Sequence, residues 1–117
     1  MSKSTAETRT TKYVFEHHLT SFSEGIDSIL SDYEEASVLL TPYAEYRGLN
    51  EIRSFFDAFL KNATPEFWSS FKIATQTVDG DIAYLTWSSR PAVPLATDTF
   101  LIRDGKILVQ TFTLFRS

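Results

Sequence analysis

Two side chains in this sequence combine proton-transfer chemistry with a placement that points inward, Asp98 and His18. Asp98 lies in the run Thr97-Asp98-Thr99-Phe100-Leu101-Ile102, which alternates as a strand does, so Asp98 shares a face with Phe100 and Ile102. A carboxyl group on an apolar face needs a partner or an open cavity. It either lines a pocket or accepts bonds from a neighbouring side chain or backbone. His18 lies three residues after Phe15 and four before Phe22, on the apolar side of a helical pattern. The adjacent His17 is turned away by about 100° and is the more exposed of the two. An acid that orients one imidazole nitrogen leaves the other free as a base or acid near neutral pH. The pair therefore suggests proton transfer by His18, held and polarised by Asp98. The same groups can also be static, His18 as a hydrogen-bonded core histidine and both as anchors that orient a ligand.

Around that pair, Tyr13, Phe55, Phe59, Trp68, Trp87 and Phe112 are the candidate ligand-binding residues, and Tyr84 is a weaker one. Aromatic rings in strands and helices serve a core as readily as a cavity wall. Arg47 and Arg90 can meet an acidic substrate or simply be solvated, and Glu34-Glu35 reads as a surface turn. Two adjacent histidines cannot grip one metal from one helix face, and no ligand set has familiar spacing, so no metal is expected. With no glycine-rich phosphate loop or dinucleotide fingerprint, no cofactor is expected either. A nucleophile elbow of the Gly-x-Ser-x-Gly type is also missing.

These residues are carried by a recognisable order of elements. A polar tail over residues 1–9 precedes a single domain over 10–117. Val14, Phe15, Leu19 and Phe22 recur at helical spacing and predict a helix from about Thr10 to Ser23, closed by Gly25. A short helix follows over Ile26 to Asp32, then a strand over Ser37 to Thr41 that Pro42 breaks, with Ala44 to Arg47 as its partner. Ile52, Phe55, Phe56, Phe59 and Leu60 form a broad apolar stripe on the clearest helix, which Gly48 introduces and Asn62 closes. Thr64-Pro65-Glu66 opens another helical turn, Thr64 as cap and Pro65 in its first turn. Strands then span Lys72 to Val78 and Ile82 to Ser89 about Asp79-Gly80-Asp81, and Thr97 to Arg103 and Lys106 to Phe115 about Asp104-Gly105. Pro91 and Pro94 predict no regular pairing over Arg90 to Ala96.

Composition sets the outer limits. The 117 residues allow one domain, and 43% hydrophobic residues suffice for one core. A net charge of −4 with scattered basic residues argues against a nucleic-acid partner. No apolar run is long enough to span a bilayer, the first residues lack a signal-peptide stretch, and there are no cysteines. The cytoplasm is the expected location. Both faces of the Thr97–Arg103 strand carry apolar residues, more than one layer of helices can cover, which suggests a homodimer through the outer sheet face.

The order of elements resembles the nuclear transport factor 2-like superfamily, and within it the SnoaL-like branch, which includes polyketide cyclases and is related to ketosteroid isomerases. The resemblance rests on five segments in sequence order: His18 to Gly25, Asp27 to Tyr33, Ser37 to Pro42, Arg47 to Phe56 and Thr97 to Ile107. It covers about residues 10 to 115. It implies an α+β fold in which N-terminal helices wrap a cone-shaped, curved mixed sheet around a largely apolar cavity. In ketosteroid isomerases a protonated acid at the position matching Asp98 donates a hydrogen bond to the substrate oxyanion. With a one-residue deletion near Ile26, His18 falls where their oxyanion-binding tyrosine stands. Those enzymes also need a carboxylate base at the end of the first strand. Here that region reads Leu39-Leu40-Thr41-Pro42, and the Thr41 hydroxyl is no substitute for a base. Their mechanism is therefore not expected to carry over.

Two readings follow. One is a cofactor-free isomerase, lyase or cyclase acting on a small apolar, carbonyl-containing or hydroxyl compound. The other is a non-catalytic ligand-binding or dimerisation module whose cavity is filled. Cavity size separates them, since a site for a drug-sized ligand needs at least about 300 Å³.

Overall fold

The computed structural model describes residues 10–116, so the N-terminal tail expected over 1–9 lies outside the described residues. Four helices and six strands follow one another: α1 (Thr11–Ser21), α2 (Ile26–Leu30), β1 (Tyr33–Leu40), β2 (Glu45–Arg47), α3 (Gly48–Asn62), α4 (Pro65–Ser70), β3 (Phe71–Asp79), β4 (Ile82–Ser89), β5 (Val93–Arg103) and β6 (Lys106–Phe115). The strands form one mixed sheet in the order β2-β1-β6-β5-β4-β3. Neighbours are antiparallel except β1 and β6, which run parallel. The sheet is curved and unclosed, and α1 and α3 lie against its inner face.

Local chemistry explains the element ends. The Thr10 hydroxyl accepts the Tyr13 amide at 3.1 Å and so caps α1, supplying a partner that the first turn lacks. Gly25 takes φ +110° after the turn that ends α1, a backbone conformation open to glycine, and its carbonyl receives the Ile29 amide of α2. Thr64 caps α4 by accepting the Phe67 amide, with Pro65 in the first helical turn. On α3 the apolar stripe turns Ile52 and Phe56 fully inward, with Phe55 and Leu60 packed beside them. The core joins these residues to Val14, Phe15, Ile29, Leu39, Leu85, Phe100, Ile102 and Ile107.

Two local expectations are corrected. Glu34-Glu35 is not a surface turn but part of β1, which begins at Tyr33. Tyr33 pairs with Ile107, the register then shifts before Val38, and the Ser37 hydroxyl bridges the gap. That hydroxyl accepts the Glu34 amide and donates to the Ile107 carbonyl, so side-chain bonds replace ladder bonds where alternation is lost. Likewise β5 starts at Val93 and contains Pro94. A register shift between Trp87 and Ser89 leaves Pro94 outside the paired positions, and pairing with β6 begins only at Leu95. Proline is tolerated at such a bulge because no ladder bond is asked of its nitrogen.

Candidate functional site

Strand alternation along the inner face sets the polar groups. Asp98 sits on β5 opposite Leu85 of β4 and Phe112 of β6. Trp87, opposite Ala96, and Gln110, opposite Phe100, stand diagonally to it, a separation that long side chains span. The Trp87 indole Nε1 donates to Asp98 Oδ1 at 3.0 Å, and Gln110 Nε2 donates to Oδ2 at 2.9 Å. Gln110 Oε1 in turn accepts the Tyr33 hydroxyl from β1. A chain of side chains thus crosses from β1 through β6 and β5 to β4. All four residues are buried.

Burial pushes the Asp98 carboxyl up to about 7, against the pull of its bonds from Trp87 and Gln110. Burial also raises the Tyr33 hydroxyl well above its usual value, helped by the charges of Asp98 and Asp32, so it stays a neutral donor. His18 shows the opposite response. Burial, with the neighbouring His17, lowers its imidazole to about 3. It is therefore uncharged at neutral pH. Its ring packs edge-on against Phe22 and Phe100, both with centroids 5.1 Å away, and against Tyr33 and Phe56 at 6.1 Å. Its Nδ1 is buried with no hydrogen-bond partner.

The structure brings most of the expected residues together. His18, Phe55, Phe59, Trp68, Trp87, Asp98 and Phe112 line one cavity of about 80 Å³. Phe22, Phe71 and Gln110 complete much of its wall. Tyr13 does not take part. It lies on the outer side of α1, 48% exposed and stacked on His17. A second expectation is also corrected: no hydrogen bond joins His18 to Asp98, whose carboxyl oxygens accept from Trp87 and Gln110 while His18 Nδ1 has no partner. An imidazole lowered to about 3 is a weak base, whereas the Asp98 carboxyl, raised to about 7, lies closer to neutrality.

Three residues escaped the sequence reading. Gln110 was findable, since it alternates with Phe112 and Leu114 on the inner face of β6, the same signal that singled out Asp98. Tyr33 was hidden by the bulge that disguised the start of β1. Asp32 is fully buried just after α2, and its Oδ2 lies 2.6 Å from His17 Nδ1. The histidine that helical phase turns away from the core thus holds a buried acid, tying α1 to the α2–β1 junction.

The cavity alone is small. At about 80 Å³ it lies below the roughly 300 Å³ of a typical ligand site and below the roughly 150 Å³ of a dry cavity that binds benzene. It has room for a narrow polar group and a little apolar volume beside it.

No protein-family model and no curated protein matches the chain. Solved structures do. A nuclear transport factor 2-like protein of unknown function from Burkholderia xenovorans superposes with TM-score 0.74 at 13% identity, over 96% of this chain and 87% of that one. A candidate polyketide cyclase from Sinorhizobium meliloti superposes with TM-score 0.67 at 22% identity, covering 85% of this chain and 92% of its own. For a candidate isomerase of the SnoaL-like family from Agrobacterium tumefaciens the values are 0.66 and 14%, with 92% and 98% covered. No helix among the described residues is long and apolar enough to cross a membrane. Its inward-curving mixed sheet, wrapping helices and apolar hollow give this chain the nuclear transport factor 2-like fold.

Proposed function

We propose that this chain binds a small carbonyl or hydroxyl compound and moves a proton on it without a cofactor, as an isomerase, lyase or cyclase does. The observation that carries this reading is the buried Asp98 carboxyl, balanced near neutral pH in an apolar cavity and fixed by two donors. A carboxyl in that condition is available both as base and as acid at pH 7, and its geometry does not have to change between the two. In the carboxylate form, Asp98 takes a proton from the carbon beside a carbonyl, leaving an enolate and a carboxylic acid. It then returns that proton to another atom of the same molecule, which restores the carboxylate. His18, uncharged and unpartnered at Nδ1, is suited to hydrogen-bond the substrate oxygen. The fold shared with a candidate isomerase and a candidate polyketide cyclase agrees with this chemistry but does not specify it.

The test is exchange of hydrogen from deuterated water into a panel of ketones from 2-butanone to 2-decanone, followed by NMR. Enzyme-dependent exchange that Asp98→Asn abolishes is expected. Exchange at the same rate in the variant would remove Asp98 from the chemistry.

The small cavity favours a second reading, a non-catalytic module whose hollow is largely filled by its own rings. In that case no ligand alters the Asp98 titration. Under either reading we propose a homodimer through the outer sheet face, where Ile82, Tyr84 and Leu95 are 39–41% exposed in a threonine-rich surface. Light scattering at micromolar concentration should give the mass of two chains, and the mass of one would exclude this assembly.

A further inference from the structure

A second hollow of about 400 Å³ lies beside the first, bordered by Thr41, Tyr43, Tyr46, Leu114 and Arg116. Phe55 and Phe112 border both hollows, their rings 5.9 Å apart and edge to face. Each ring is only half buried, so these two side chains stand as a partition between the inner cavity and the outer groove. The inner space is too narrow for a ring, yet it holds the polar groups. The outer space is roomy and mostly apolar, with a cation at its rim. Arg116 forms no ion pair with any described residue, whereas Arg47, Arg53 and Arg103 each have a carboxylate partner.

From this juxtaposition we propose that the two hollows are one site for an elongated amphipathic acid: a narrow hydroxyl or carbonyl end inside, an apolar chain past Phe55 and Phe112, and a carboxylate at Arg116. This rests on the ligand-binding reading above and names its ligand class. One strand lays out the order. Gln110, Phe112, Leu114 and Arg116 follow at every second residue of β6 and its end, and all four line one or the other hollow. Six residues of extended chain separate the ends by roughly 20 Å between Cα atoms, less the reach of the arginine. Rings whose centroids lie 5.9 Å apart edge to face are in contact, so a chain crosses only when Phe55 or Phe112 turns aside, and an unbranched chain asks for a smaller opening than a ring does.

The probes are 12-hydroxydodecanoate, its methyl ester and 4-hydroxybutanoate, with binding followed by tryptophan fluorescence and calorimetry. The long acid should bind at least tenfold more tightly than its ester and than the short acid. Arg116→Gln lies on the surface, so it should fold normally, and it should weaken the long acid about tenfold while leaving the ester unchanged. Equal binding of acid and ester, equal binding of long and short acids, or no binding of any probe at millimolar concentration would each overturn the proposal. So would a two-chain mass that falls to one chain on adding the long acid, because the groove would then hold a second copy. The Asp98 carboxyl resonance separates this inference from the broader reading. If the short acid shifts that resonance but length and charge have no effect, the inner site stands and the two-chamber ligand fails. If the long acid binds through Arg116 without moving the resonance, the inner reading fails and the inference resting on it fails too.

Discussion

Asp98→Asn exchanges a titrating carboxyl for an amide of nearly the same shape. The amide can be accommodated, because Gln110 can rotate its own amide to accept from the introduced NH2 group, its Nε2 then donating to the Tyr33 hydroxyl oxygen that now donates to Oε1, while the Trp87 donor keeps an oxygen acceptor. What the substitution removes is the proton equilibrium. In the folded chain burial raises Asp98 from 3.8 to about 7, so the native state holds the proton more tightly than the unfolded state does. Native stability therefore falls as pH rises from about 4 to about 7, since the carboxyl becomes charged inside an apolar hollow. At about 1.4 kcal/mol per pH unit, the gap between 3.8 and about 7 is worth about 4 kcal/mol. For a domain of this size that is roughly 10–20 °C in melting temperature. The assay is urea denaturation of both proteins, followed by circular dichroism from pH 3.5 to 8.5. Subtracting one curve from the other cancels every other titrating group. The variant should gain stability relative to the wild type across pH 4 to 7, and the difference should level off above that range. A difference independent of pH would mean that Asp98 titrates normally, and the argument from its burial would be wrong.

His18→Gln should give the opposite slope. The native imidazole is lowered to about 3, so its contribution to stability increases as pH rises from about 3 to 6.5 and is lost as pH falls. The wild type should lose up to roughly 5 kcal/mol relative to the variant as pH falls across that interval, and parallel curves would refute it. Trp87→Phe removes the donor to Asp98 Oδ1, so the Asp98 midpoint, read from its carboxyl carbon resonance, should move above about 7. An unmoved midpoint would show that the indole bond has no influence. Thr64→Ala deletes the cap of α4 and should cost about 1 kcal/mol in chemical denaturation, with no effect on either titration. His17→Ala leaves buried Asp32 without its imidazole partner and should cost about 2–4 kcal/mol, a loss that His17→Gln only partly restores.

Sequence pattern alone decided the elements and much of what faces inward. Apolar spacing in α1 and α3 and alternation in β4, β5 and β6 are short-range properties, fixed by helical and strand geometry. That is why His18 and Asp98 could be turned inward from their neighbours alone. Glycine and threonine at the ends of helices were legible for the same reason, as at Gly25 and Thr64. Where a bulge breaks alternation the signal vanished, and Glu34-Glu35 and Pro94 were misread there. The roles of the polar groups belonged to the tertiary structure. Which donor reaches Asp98 depends on the register between β4, β5 and β6, and that register is set by contacts far apart in sequence. Whether an imidazole or a carboxyl titrates near neutrality depends on how much water and how many partners surround it. Burial moved the two groups in opposite directions, because it penalises whichever form is charged. The sequence put His18 and Asp98 on inward faces, and only the folded chain determined that burial lowers the imidazole to about 3 and raises the carboxyl to about 7.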